Sequence, residues 1–474
     1  MGHMLKGGAP LFNLPITALG LTPILHFMAN SLQVEATYRQ IIKLAFPISF
    51  AMLIPQFNFV TTNIFLGHFN QQSLAIAGIT GVYYLIFAMV GFGLNNGLQA
   101  LISRRAGENR PEAIGKLFSQ GVYIAMAIAA VGILITWFIA PIILKKVIHA
   151  PGNAQIAIRF LKIRIWGLFF LYIYQMRNAL LVGTNQSRFL VFGTLAEAVA
   201  NIIFDYSFLF GHFGLPALGL NGAAVASIIA EFTGMFVIFV VIWKKGISKR
   251  FALFSSFKWS GPIVKQILSI STPLIFQLAV SLMSWEFFYI LVEHHGQEAL
   301  AISNVMRNIF GLIGCVTWSF AATAAAMVSN LIGQGKHDKV QPVILKIITL
   351  STGCAAVIAI LINIFPQTLL SAFGQNVSFT EHALPVVRVI SAAMLLMSFS
   401  SVWLNAVTGT GNSRVTFLIE FITITLYCIY IWIVLEKLFL SITFGWMSEW
   451  LYWLSLFTFS WFYMRSGKWK MKVI

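Results

Sequence analysis

Glu197, Asn201 and Asp205 fall at i, i+4 and i+8 in the stretch Thr194-Leu195-Ala196-Glu197-Ala198-Val199-Ala200-Asn201-Ile202-Ile203-Phe204-Asp205-Tyr206. On a helix that spacing places all three on one face. Their neighbours are almost all apolar, so the stripe lies in a segment long and apolar enough to cross a bilayer. Carboxylates at that depth are costly and usually face a cavity or the interior of a bundle. Two readings follow: a site that binds a proton or a cation, or a polar stripe satisfied by other helices.

The elements that must position this stripe are membrane spans. The 474 residues are 58% hydrophobic and 9% charged, against about 25% charged in a soluble domain. Apolar stretches occupy roughly 44–66, 74–101, 117–140, 157–181, 189–211, 219–243, 266–292, 300–330, 344–366, 384–407, 415–436 and 440–464. The expected fold is an all-α membrane protein with twelve transmembrane helices. Residues 1–37 read as an N-terminal tail, since Pro15 and Pro23 interrupt their apolar run and no clean signal peptide is present.

The net charge of +17 distributes by topology. If the N-terminal flank, the even-numbered loops and the C-terminal tail share one side, they hold 22 of the 31 Lys and Arg. The positive-inside rule then puts both termini in the cytoplasm, for a multi-pass protein of the cell (inner) membrane. Lys145, Lys146, Arg159, Lys162 and Arg164, between spans 3 and 4, are an exception that the rule leaves unexplained. No contiguous basic face suggests a nucleic-acid partner. The expected surroundings are membrane lipid, and the expected state is a monomer. Cys315, Cys354 and Cys428 lie in apolar segments without metal or pairing spacing. No Walker A, HExxH or GxSxG pattern offers an enzyme a foothold. No cofactor and no metal is expected.

The chain also carries an internal duplication. A shift of 226 residues lays Pro47 on Pro273, Leu74-Ala75-Ile76 on Leu300-Ala301-Ile302, and Gly107 on Gly333. It also lays Gly183-Thr184-x-x-Ser187-Arg188 on Gly409-Thr410-x-x-Ser413-Arg414. Six spans per copy make the repeats parallel, related by an axis along the membrane normal. The expected units are bundles over 38–243 and 266–465, a basic cytoplasmic linker over 244–265, and a tail over 466–474.

Several of these residues resemble the multidrug and toxic compound extrusion (MATE) family, within the wider MOP flippase superfamily. They are Pro47 opening span 1, Gly67-His68 at its end, and Leu74-Ala75-Ile76-Ala77-Gly78. So are Asn201-x-x-x-Asp205-Tyr206 and the following Phe210-Gly211-x-Phe213-Gly214-x-Pro216-x-Leu218-Gly219-x-x-Gly222-Ala223-Ala224. The resemblance covers about residues 38–465. It implies an antiporter that exports cationic or amphipathic small molecules (drugs, toxins) in exchange for H+ or Na+ by alternating access. It also implies an N-lobe coupling site in which an acid on span 1 joins an Asn and an Asp on span 5. Asn201 and Asp205 match the latter pair. The place of the span 1 acid is taken by Thr62, with Asn63 beside it. With one carboxylate missing, proton coupling is favoured over sodium, and Glu197 is a candidate for the missing charge.

In the second half, Glu286 resembles the later of two glutamates on span 7 of eukaryotic-type members, and Ser281 stands at the earlier position. Glu286 beside Trp285 could attract an organic cation by charge and ring face. Gln56 and Asn58 flank Pro55 as further substrate candidates, and Pro47 and Pro55 are candidate hinges of span 1. Glu231, Arg307, Asn308 and Glu420 are expected to pair across helices, Arg307 with a carboxylate. The alternative function is a lipid-linked oligosaccharide flippase of the same superfamily, which would carry more cationic residues in its cavity.

Overall fold

Asn70 shows how local chemistry sets the topology. Its backbone N–H closes the last turn of one helix on Leu66, and its side chain accepts from Ser73 N at 2.7 Å to open the next. The chain therefore reverses without a loop. The computed structural model describes residues 32–148, 152–253, 258–371 and 377–471. Among these, helices account for nearly the whole chain and no strand occurs.

The N-terminal lobe holds α1 (Tyr38–Phe69), α2 (Gln71–Gly107), α3 (Pro111–Phe138), α4 (Asn153–Arg164 and Leu168–Gly183, joined by a 3-10 turn at Ile165–Gly167), α5 (Leu190–Phe210) and α6 (Leu220–Lys244). The C-terminal lobe holds α7 (Gly261–Glu293), α8 (Gln297–Gly333), α9 (Val340–Ile364), α10 (Val377–Gly409), α11 (Ser413–Ile431) and α12 (Ser448–Arg465). Ten helices among the described residues are long and apolar enough to cross a membrane. The two that fall short are α4, broken by its 3-10 turn, and α12, which is short and begins with the acidic Glu449. The architecture is the expected twelve-helix arrangement of two repeated halves. Of the N-terminal tail, residues 1–31 lie outside the described residues.

The lobes exchange packing reciprocally. Ile41, Leu44 and Ala45 of α1 join the core of the C-terminal lobe. Val264, Ile267 and Ile270 of α7 join that of the N-terminal lobe. Hydrogen bonds cross the seam from Ser329 Oγ to Ala100 O (2.6 Å), from Gln99 Nε2 to Ala322 O (3.1 Å) and from Arg104 Nη2 to Thr410 O (3.1 Å). Residues 32–36 thread into the same end. Asn185 and Asn330 both donate to Leu32 O, and Gln334 donates to Val34 O. All these contacts lie at the end that carries the termini. Toward the opposite end, α1, α2, α7 and α8 present Phe57, Val82, Met283 and Leu312 as exposed residues. The side-chain bonds between the lobes are thus concentrated at the terminal end and reach mid-depth at Ser49–Ser319 (2.5 Å).

Three details differ from the sequence expectation. Arg159, Lys162 and Arg164 belong to the first half of α4, not to a loop, because that helix begins at Asn153. The twelfth span begins at Ser448 rather than near 440, since residues 432–446 form a π-helical turn and a short helix. Arg307 pairs with no carboxylate among the described residues. It is exposed and lies over the Tyr289 ring at 5.0 Å, which gives it a ring face in place of a salt bridge.

Candidate functional site

Asp205 is 1% exposed, where α5 packs on α1. Its Oδ2 accepts from the Thr62 hydroxyl at 2.6 Å and from Asn201 Nδ2 at 3.3 Å. Thr62 Oγ1 also stands 3.4 Å from Asn201 Oδ1. Its single proton goes to the closer and charged acceptor. Asp205 Oδ1 is buried without a partner. A desolvated carboxyl with one bonded and one free oxygen is chemically able to take up a proton or a small cation. The helix geometry is why these three meet: Asn201 and Asp205 are one turn apart, and Thr62 reaches them from the facing helix. Phe65 and Phe69 of α1 pack over the site on the side away from the termini, against Tyr206 and Phe210.

Glu197 shares the stripe but forms no hydrogen bond with Asn201 or Asp205. Its side chain packs against Gly234 of α6, where a Cβ would press on Glu197 Cβ and Oε2. Nearby, Arg177 is fully buried and stacks on Tyr174 at 3.7 Å. Asn63 is half-buried and has no bond to the cluster among the described residues.

Glu231 on α6 is held by both Arg164 nitrogens, at 3.0 and 2.6 Å, and by the Tyr84 hydroxyl at 3.1 Å. Gly167, in the 3-10 turn of α4, leaves the space: a Cβ there would collide with Glu231 Oε2 and Arg164 Nη1. This pair was only half legible, because Arg164 sat in an apparent loop.

In the C-terminal lobe, Trp285 and Glu286 do not form one recognition surface. Trp285 packs inward against Tyr289, Phe310 and Trp446. Glu286 is exposed beside Met283 and Ile290, since adjacent residues on a helix point about 100° apart. Gln56 is exposed and Asn58 half-buried, and neither forms a hydrogen bond among the described residues. Glu420, by contrast, is 1% exposed and accepts from Ser281 Oγ (2.6 Å), the Tyr452 hydroxyl and Gln277 Nε2 (3.4 Å). A second buried acid, Glu449, accepts from Trp453 Nε1 at 3.0 Å. It escaped the sequence reading because Trp and Ser surround it near a helix end. No group of three His, Cys, Asp or Glu residues able to hold a metal ion occurs among the described residues.

The MatE family model matches this chain twice, over residues 47–207 and 273–433. The two matches are displaced by 226 residues, the same shift that superposes the sequence repeats. The chain belongs to the MatE family. A probable multidrug resistance protein, NorM, of Thermotoga maritima is 24% identical over 449 residues, covering 93% of this chain and 95% of that protein. Among solved structures, a MATE in complex with MaL6 superposes with a TM-score of 0.86 at 15% identity, covering 93% of this chain and 98% of the other. A MOP superfamily transporter from Pyrococcus furiosus, described as having a binding pocket of reverse polarity that suggests a different function, superposes with a TM-score of 0.83 at 16% identity, covering 93% and 98%. The Asp205 cluster lies within the first of the two matched repeats.

Proposed function

We propose that this MATE transporter is a multidrug exporter of the cell membrane, with cytoplasmic termini, that expels amphipathic cations in exchange for protons. The observation that carries the reading is the Thr62–Asp205–Asn201 cluster: one buried carboxylate, two neutral donors and one free carboxylate oxygen. Protonation neutralises such a site with a single ligand, whereas a bare Na+ needs several oxygens at once, and the second carboxylate that would strengthen its hold is replaced by Thr62. The name of the Thermotoga maritima relative supports drugs as cargo. Glu286, on the exposed face of α7, is the acid best placed to meet a cation entering between the lobes.

The flippase alternative draws little support from the buried bases. Arg164 is already bonded to Glu231, and Arg177 is fully buried on Tyr174. Neither is presented to an anionic pyrophosphate.

Ethidium efflux in cells lacking their own pumps tests the proposal. Wild type should export the dye, an uncoupler should abolish export, and Asp205→Asn should match the uncoupled level. Efflux that survives the uncoupler but requires added Na+ would overturn proton coupling. No efflux from well-expressed wild type would overturn the drug-export reading.

A further inference from the structure

Of the five basic residues clustered between α3 and the middle of α4, Lys146 lies apart and the other four separate into two groups. Arg164 turns inward and is neutralised by Glu231. Lys145, Arg159 and Lys162 form no ion pair among the described residues, and all three line one open cavity of about 820 Å³. The remaining lining is Trp137, Pro141, Gln155, Ile158, Ile163, Trp166 and Ile228, with no acidic residue. Lys162 Nζ is held over the Trp137 ring at 4.9 Å, and Trp137 and Trp166 meet edge to face at 6.4 Å.

The surroundings say at what level this cavity stands. The short helix Ala140–Val147 between α3 and α4 buries Ala140 and Leu144 and exposes Ile142, Ile143 and Val147. Phe138 and Ile139 before it, and Ile156 after it, are exposed as well. Exposed large apolar residues in this number are stable only against hydrocarbon. An amphipathic helix that offers them beside lysines lies in the membrane interface. Tryptophans collect at that same depth.

We propose that this cavity is a binding site for an anionic phospholipid. Lys145, Arg159 and Lys162 would clamp its phosphate, and the Trp137, Ile158, Ile163 and Trp166 wall would receive the start of its acyl chains. Three cations without an acid around one apolar cavity leave a charge that only an anion can complement. A soluble anion would gain nothing from the apolar wall, whereas a lipid satisfies both parts. The site also accounts for the basic cluster on the side where the positive-inside rule expects few: one residue is spent on Glu231 and three serve the headgroup. The inference depends on where the cavity lies and on its chemistry, not on what the protein transports.

The test uses the full chain purified in a neutral detergent. Its thermal unfolding is followed with added phosphatidylglycerol, phosphatidylcholine, glycerol 3-phosphate or inorganic phosphate. Phosphatidylglycerol should raise the midpoint of wild type well above the shift from phosphatidylcholine. The two water-soluble phosphates should leave it unchanged. Lys145→Gln/Arg159→Gln/Lys162→Gln should lose the phosphatidylglycerol-specific part. Lys146→Gln, which removes a charge from the same short helix outside the cavity, should keep it. Lys162→Gln alone should show fewer retained anionic lipids in native mass spectrometry, a readout that stands even if the triple variant folds poorly. Equal shifts from both lipids, or an undiminished shift and lipid count in the variants, would overturn the site. A matching shift from inorganic phosphate would make it a soluble-anion site and overturn the lipid assignment.

Discussion

Gly107 and Gly333 occupy the same place in the two repeats, and each abuts the backbone of the other lobe. A Cβ on Gly107 would collide with the Asn330 carbonyl, and one on Gly333 with the Arg104 carbonyl. Arg104 and Asn330 are themselves related by the 226-residue shift. The seam is therefore built from two copies of one contact, glycine on carbonyl. Asn330 adds to it by holding residues 32–36, through Val34 N at 3.0 Å and Leu32 O at 2.8 Å. Gly107→Val or Gly333→Val should cost the closed seam about 1–3 kcal/mol by overpacking. Spin labels at Arg110 and Lys336, exposed positions beside the two glycines, should then report longer distances by double electron–electron resonance. Gly78→Val is the control, since nothing lies within 4 Å of a Cβ there. Unchanged distances would show that the contact does not hold the seam.

Thr62 supplies a hydroxyl where the family resemblance calls for an acid, and that hydroxyl is the strongest partner Asp205 has. A hydrogen bond to a charged group contributes about 1.5–3 kcal/mol. Thr62→Val should therefore lower dye efflux about tenfold or more, while Thr62→Ser retains it. Thr62→Asp restores a second carboxylate to the site, and Na+ should then stimulate efflux that it leaves unaffected in wild type. Thr62→Val efflux equal to wild type would remove Thr62 from the coupling site.

The legible and hidden parts of this molecule divide along physical lines. A bilayer imposes long apolar runs and a duplication leaves a constant offset, so the spans and repeats could be read. Asn201 and Asp205 were legible because one helical turn separates them, and Thr62 because its distance from Pro47 could be counted. Arg164 falls inside the stretch 157–181 but groups with the basic residues between spans 3 and 4, because a run of cations at a span's start reads as a loop. The donors around Glu420 come from α7 and α12, and no local pattern announces a contact between positions so far apart in the chain. Trp285 and Glu286 misled in the other direction, because adjacency in sequence separates side chains on a helix.

The Arg164–Glu231 pair should be structural in a measurable way. Breaking a buried pair strands a charge and costs roughly 3–5 kcal/mol, while replacing both partners by apolar residues is often neutral. Glu231→Leu should lower the unfolding midpoint in detergent sharply, and Arg164→Met/Glu231→Leu should recover most of the loss. Tyr84→Phe, which removes one of three donors, should cost about 1 kcal/mol. A double variant no better than the worse single one would mean the pair is not acting as a unit.

Pro47 and Pro55 both lie inside the unbroken helix α1, but only Pro47 has a side-chain donor bonded beside the carbonyl it frees, Ser187 on Leu44 O. A proline removes the hydrogen bond to the carbonyl four residues earlier. For Pro47 that carbonyl is Lys43 O, and Ser187 Oγ stands 3.4 Å from it and 3.1 Å from Leu44 O. Helix α1 is thereby tied to the turn before α5. For Pro55 the carbonyl is Ala51 O, which no side chain bonds among the described residues. Beyond Pro55 lies the half of α1 that carries Thr62. Pro55 is therefore the position at which we expect α1 to bend. Pro55→Ala should reduce efflux severalfold while raising thermal stability, because it restores the missing helical hydrogen bond. Pro47→Ala should change efflux little. Efflux by Pro55→Ala at the wild-type rate would rule out a hinge there.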